Sequence, residues 1–193
     1  MPIQFITPSI ISSVANTQVT GTITASQIAT VNANTITSGT IPVAQIPQLS
    51  AAKMPTGSVL QVVNGTYNVQ ISTTGTTLTD TGLNATITPT SASSKILVMV
   101  DQSSVGKTGA DERVKIALLK GSSQILLLTE LAAYTASAQP NDIGSVTISY
   151  LDSPATTSAT TYKTQFSTIN GSGTALVQWN PSTSSITLME IAA

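Results

Sequence analysis

With 193 residues, a net charge of −1 and only 8% charged residues, the chain lacks the clustered cations that a nucleic-acid backbone demands, because its seven basic residues are scattered. It contains neither Cys nor His, which removes disulfide frameworks and thiolate chemistry together with the commonest catalytic base and metal ligand. Thr and Ser make up roughly three residues in ten while hydrophobic residues reach 40%, a balance that favours ordered β-structure over disorder or helix.

Residues 1–12 are apolar, carry Pro2 and Pro8, and read as an extended docking peptide. No basic region precedes a clean apolar core here, so the reading expects no signal peptide and release by a route such as cell lysis. Residues 13–50 say nearly the same thing twice. Asn16, Thr17, Gly21, Thr22, Ile23, Gln27 and Ile28 recur as Asn34, Thr35, Gly39, Thr40, Ile41, Gln45 and Ile46. Two copies of so short a unit cannot bury their own apolar face, since a stacked solenoid needs about three. Several identical chains winding together would solve this, with Val19, Ile23, Ile28, Ile36, Ile41 and Ile46 meeting their counterparts across a symmetry axis. This stretch is therefore expected to be an intertwined shaft or anchor, and residues 51–57 a hinge into the remainder.

From residue 58 onward, short strand-like runs alternate with clusters of Gly, Asn, Asp, Ser and Pro about every ten residues. The runs cover 58–63, 67–71, 84–88, 95–102, 113–120, 124–129, 145–151, 160–167, 175–179 and 185–191. Period-two alternation in Val146, Ile148 and Tyr150, in Tyr162, Thr164 and Phe166, and in Ile186 and Leu188 marks the core faces. The run from Ile96 to Val100 is apolar on both faces, so it should be covered on one side by its own sandwich and on the other by a neighbouring subunit. The expected fold is all-β: a C-terminal jelly-roll-like β-sandwich over residues 58–193, preceded by an extended oligomerisation arm.

The chemistry-bearing residues mostly favour bland readings. Gly106, Lys107 and Thr108 look like the tail of a phosphate loop, but Asp101 stands where another glycine is needed, so an exposed hairpin turn is expected instead. Asp80 and Asp152 sit in Asp-Thr-Gly and Asp-Ser-Pro contexts that ordinarily make Asx turns. Residues 113–120 read as strand, with a short helix over 110–120 as the alternative, and Asp101, Asp111 and Glu112 could form a structural-ion site but lack the alternating ligands of a calcium loop. No catalytic residue, cofactor or metal is expected. Tyr67, Tyr134 and Trp179 could stack on sugars, although Trp179 reads first as core. The 131–144 segment is the longest candidate loop, and Tyr134, Asn141 and Asp142 are its receptor-facing candidates. The apolar run 125–128 is far shorter than the ~20 residues of a membrane-spanning helix, so no membrane insertion is expected.

Several segments carry a resemblance. They are Gly57-Ser58-Val59-Leu60-Gln61-Val62-Val63, the stretch from Asp80 to Pro89, Ser93-Ser94-Lys95-Ile96-Leu97-Val98, Ser149-Tyr150-Leu151-Asp152-Ser153-Pro154, and the closing Ile186-Thr187-Leu188-Met189-Glu190-Ile191. The C-terminal part resembles domains at the ends of structural proteins of tailed bacteriophages, particularly those of cyanobacteria and other aquatic bacteria. The Gly-Thr-Ile and Gln-Ile frame looks like phage fibre-shaft repeats. What the resemblance implies is a non-enzymatic virion protein, usually a homotrimer, anchored to other virion proteins through its N-terminus, with a head that faces outward toward a host-surface glycan or protein. A capsid decoration protein is the alternative, and a glycan depolymerase the remote one.

Overall fold

The computed structural model describes residues 53–193. Its strands follow in chain order as β1 (Val59–Tyr67), β2 (Ile71–Thr73), β3 (Thr79–Ile87), β4 (Lys95–Gln102), β5 (Gly106–Thr108) and β6 (Glu112–Lys120). They continue as β7 (Ser123–Thr135), β8 (Asn141–Asp142), β9 (Val146–Asp152), β10 (Thr160–Thr168), β11 (Thr174–Val177) and β12 (Ser184–Ile191). Two four-stranded sheets, ordered β1-β12-β4-β9 and β3-β10-β6-β7, carry the core, and a third, smaller sheet has the order β2-β11-β5-β8. Every pairing is antiparallel.

Alternation of side chains explains how the large sheets stack. On β4, Ile96, Val98 and Val100 are buried while Leu97 and Met99 lie on the other face; on β12, Ile186 and Leu188 point the same way as the β4 set. These residues meet Leu83, Ala85 and Ile87 of β3, Leu118 of β6 and Tyr162 of β10, so the two sheets face each other as in a β-sandwich. A second cluster, with Val105, Val114, Ile116, Ala132, Ala133, Phe166, Ala175 and Val177, fills the end beneath the small sheet.

The sandwich has two distinct ends. At one, called proximal here, the Gly57 amide donates to the Ala192 carbonyl at 2.8 Å and the Ala192 amide donates to Ser58 at 2.9 Å. The other, distal end is closed by the small sheet, each of whose strands lies in a connection between the two large sheets.

Between the two apolar clusters runs a belt of buried polar side chains. Thr81 and Thr164 approach to 2.6 Å between their hydroxyls, the Thr164 hydroxyl donates to Gln102 Oε1 at 2.8 Å, and Gln102 Nε2 donates to Ser184 Oγ at 3.0 Å. Gln178 Nε2 reaches the same serine at 2.9 Å, and the Leu83 amide donates to Thr81 Oγ1 at 3.1 Å. All five belt side chains are 0% exposed. The belt links β3 and β10 of one sheet to β4 and β12 of the other, and β11's end to both.

Several expectations need correction. The run predicted at 67–71 straddles a break: β1 ends at Tyr67 and β2 begins at Ile71. Asp80, Thr81 and Gly82, read as a turn, belong to β3, because Thr81 anchors the belt and Gly82, at φ +85°, leaves room for the Tyr67 ring. A Cβ on Gly82 would lie 2.3 Å from Tyr67 Cε1. The strand read at 113–120 stands, as residues 112–120, and the alternative short helix does not. The docking peptide 1–12, the shaft 13–50 and its residues Val19, Ile23, Ile28, Ile36, Ile41 and Ile46 lie outside the described residues.

The belt generates a stability prediction. Thr164→Val keeps the side-chain shape but leaves Gln102 and Thr81 short of a partner inside the core, and should cost about 1–3 kcal/mol, lowering the melting temperature by roughly 3–10 °C. Thr86→Val removes a 2.7 Å hydroxyl pair with Thr161 on the exposed face and should change stability by no more than about 0.5 kcal/mol. Thermal melts of the two variants check the contrast.

Candidate functional site

The distal end gathers the features that carry polar chemistry. Glu112 begins β6 at an inward position, the same face as Val114, Ile116 and Leu118, and is 0% exposed. Its carboxylate accepts from the backbone amides of Arg113 (3.0 Å), Ile169 (3.0 Å), Asn170 (3.1 Å), Ser172 (2.8 Å) and Gly173 (3.3 Å). Burial alone would raise its pKa, but this ring of amides outweighs burial and holds the carboxyl at about 2. The 169–173 connection is thereby folded around one side chain.

Lys107 is the complementary case. It sits on β5, 0% exposed, and its ammonium donates to the carbonyls of Gly109 (2.6 Å), Ser137 (2.6 Å) and Thr135 (3.2 Å). The exposed hairpin turn expected at 106–108 is therefore corrected to a buried strand. Gly106 packs beneath Trp179, whose Cε3 would lie 2.5 Å from a Cβ there, which explains the glycine at that position.

Tyr134, Asn141 and Asp142 all lie at this end. The long loop expected over 131–144 is instead the end of β7, a short connection and β8, because the 141–142 backbone pairs with Gly106 and Lys107 of β5. Asn141 donates from Nδ2 to the Ala133 carbonyl at 3.1 Å, next to Tyr134. Asp142 accepts from Ser104 Oγ and from the Gly144 amide, so its carboxylate closes a turn. Tyr134 is the outward-facing member, 47% exposed, with the Arg113 guanidinium 5.8 Å from its ring centroid and its hydroxyl donating to Asp111 at 3.3 Å. Beside it, Arg113, Leu127, Thr129, Glu130, Leu131 and Ile169 line a shallow groove of about 420 Å³.

Backbone strain concentrates here as well. Ser104, Asp111, Ala133, Gln178 and Asn180 all have positive φ between 47° and 56°, a conformation that costs non-glycine residues free energy and persists only where surrounding contacts fix it. Four of these residues are tied by hydrogen bonds: Ser104 Oγ donates to Asp142, the Ala133 carbonyl accepts from Asn141 Nδ2, the Asp111 carbonyl accepts from Asn170 Nδ2, and Gln178 belongs to the belt.

The remaining carboxylates are engaged elsewhere. Asp152, buried at the end of β9, accepts from Lys120 Nζ at 2.9 Å and from the Tyr162 hydroxyl at 2.6 Å, an arrangement in place of the expected Asx turn. Burial, then the hydrogen bond to the Asp152 carboxylate and that carboxylate's charge, push the Tyr162 phenol well above its ordinary range. Glu190 accepts from Gln61 at 2.6 Å and from the amide and hydroxyl of Thr90 at 2.7 Å; these bonds, led by that from Gln61, overcome burial and lower its pKa. Asp80 pairs with Lys163 and Gln165 across the exposed face of β3 and β10. Among the described residues, no three acidic side chains gather into a metal-holding group. Sequence reasoning missed the roles of Glu112, Gln102, Glu190 and Asp152, though each continues the inward alternation of its strand.

The chain matches no protein-family model and no curated protein sequence.

Glu112 sets a pH expectation. Because its folded pKa lies below that of a free glutamate, its stabilising contribution is complete at neutral pH and is lost as pH falls from the ordinary glutamate range toward about 2. Glu112→Gln substitutes an amide donor for an acceptor among amide donors and should destabilise by about 2–4 kcal/mol at pH 7. The gap between variant and wild type in urea unfolding should narrow as pH drops toward 2; a gap independent of pH would contradict the assignment.

Proposed function

We propose that this chain is a structural subunit on the surface of a tailed-phage particle, a homotrimer anchored through residues 1–50 and presenting its sandwich outward. Under this reading the two large sheets form a jelly roll: the orders β1-β12-β4-β9 and β3-β10-β6-β7 distribute eight strands as two interleaved Greek keys. The observation that carries the proposal is the fate of the buried ionisable groups. Lys107, Glu112, Asp152 and Glu190 are each saturated by bonds that tie strand ends and connections together. A catalytic acid or base must face a reactant, and these four face only their own backbone and neighbours. The ionisable chemistry of the interior serves rigidity.

The surface fits the same work. Hydroxyl side chains dominate the outward positions, and ion pairs such as Lys115 with Glu130 (2.8 Å) and Lys163 with Asp80 (2.8 Å) are few, so stability should respond weakly to salt. At the distal end, Tyr134 supported by Arg113 offers an aromatic face for a host-surface glycan. The resemblance of the repeats and strand motifs to phage structural proteins supplies the particle.

Light scattering on the purified chain should give three times the 19.7 kDa chain mass, and gold-labelled antibody against residues 58–193 should mark projecting sites on intact particles. A monomeric mass sinks the trimer, and unlabelled particles from a lysate that contains the protein sink the virion assignment.

A further inference from the structure

The chain contains two Asn-Gly pairs, Asn64-Gly65 and Asn170-Gly171. In such a pair the bare glycine lets its amide nitrogen reach the asparagine side-chain carbonyl carbon, provided that nothing else holds the peptide unit between them. The fold treats the two pairs differently. Asn64 and Gly65 lie inside β1, whose pairing with β12 runs without a break from Gln61 to Tyr67. The Asn64 carboxamide donates to Thr187 Oγ1 at 2.9 Å, and a Cβ on Gly65 would collide with the Asn84 carbonyl oxygen, so this peptide turns only if the ladder opens.

Asn170 and Gly171 stand exposed in the connection between β10 and β11. Four of the five backbone amides from 169 to 173 donate to the Glu112 carboxylate, and the exception is Gly171. Among the described residues the Gly171 amide donates to nothing, and the Asn170 carbonyl on the same peptide unit accepts nothing. Gly171 has φ +70°, and a Cβ there would meet nothing closer than Thr76 Cγ2 at 3.6 Å. Glu112 thus fixes the chain on both sides of this peptide unit and leaves the unit itself room to rotate. One bond restrains the reacting side chain: Asn170 Nδ2 donates to the Asp111 carbonyl at 2.7 Å.

We propose that Asn170 is a self-modification site of the folded chain, deamidated by attack of the Gly171 amide, and that its conversion loosens the hold of the 169–173 connection on Glu112. Hydroxide removes the Gly171 amide proton, and the nitrogen lone pair forms a bond to Asn170 Cγ. The Cγ–Nδ2 bond then breaks, and ammonia departs with that electron pair and a proton from water. Water adds to either carbonyl of the resulting five-membered imide. Opening at Cγ leaves aspartate at position 170, whereas opening at the backbone carbonyl leaves isoaspartate, with the chain running through Cβ and Cγ. The net change is amide plus water to carboxylate plus ammonium, and no oxidant or cofactor enters.

Either product replaces the donor that held the Asp111 carbonyl by an acceptor, and adds a negative charge to the connection wrapped around the Glu112 carboxylate. Isoaspartate also inserts a methylene between the Asn170 and Ser172 amides, both of which Glu112 holds. Asp111, released from Asn170, is the residue whose carboxylate accepts from the Tyr134 hydroxyl. The step does not reverse, so it acts once, as a timer on the rigidity of the distal end.

Trypsin separates the two pairs, because cleavage after Lys53 and Lys95 puts Asn64 in fragment 54–95, and cleavage after Lys163 puts Asn170 in fragment 164–193. Full-length folded protein held at mildly alkaline pH should gain about 1 Da per event in the second fragment, assigned to position 170 by fragment-ion spectra. Conversion at Asn64 should be slower by about tenfold or more, because it waits on local opening of the strand pair. In urea both pairs should convert at similar rates. Converted protein and a fresh Asn170→Asp variant should each unfold at lower urea concentration than fresh wild type. Intact Asn170 in the folded protein, under conditions where the urea-unfolded chain converts, overturns the site, as does equal conversion of both pairs in the folded protein. Conversion at 170 with an unchanged urea midpoint overturns the loosening.

Discussion

The belt of Thr81, Thr164, Gln102, Ser184 and Gln178 is the constraint on which the rest of this sandwich depends. Apolar side chains stabilise two stacked sheets without fixing their register, because a shift of neighbouring strands by two residues exchanges one aliphatic group for another. A buried hydroxyl or amide tolerates no such slip, since losing its partner costs the full desolvation of the group. By joining four strands across both sheets, the belt specifies how the sheets align. It also divides the core, leaving an aliphatic cluster toward the proximal end and a smaller one under the distal sheet.

The same logic, polar groups satisfied by backbone, builds the distal end. Four connections between the sheets would ordinarily be independent loops. Here they pair with one another as β2, β11, β5 and β8, and two charged side chains complete them. Glu112 gathers amides from 169–173, and Lys107 gathers carbonyls from 109, 135 and 137. Each charge takes part in several hydrogen bonds at once, which compensates the cost of its burial. The result is a rigid platform that fixes Tyr134 and Arg113 in place.

The ends of the sandwich thus have different characters. The proximal end is held by Glu190 with Gln61 and Thr90 and by Asp152 with Lys120 and Tyr162, close to where the chain enters. Between the ends, one outer face is ion-paired and the other grades from apolar to hydroxyl. A chain with so little charge has few means of directing any association electrostatically.

Much of the fold was legible in the residues. The all-β class followed from Thr, Val and Ile enrichment and from the spacing of turn residues, and the alternation in β9, β10 and β12 marked the inward faces. The same alternation would have located Glu112, Gln102, Glu190 and Asp152, had a polar residue continuing an apolar series been read as buried. Sequence alone could not place Lys107 or the small sheet, because β5 and β8 are three and two residues long and owe their form to partners distant in the chain. Asp80 and Asp152 illustrate the limit: local context favoured turns, whereas pairing with Lys163 and Lys120 across strands decided otherwise. By itself the sequence determined which side chains alternate, because that period is a local property of extended backbone. Only the tertiary structure decided which polar groups are satisfied inside, because hydrogen-bond partners are chosen by proximity in space.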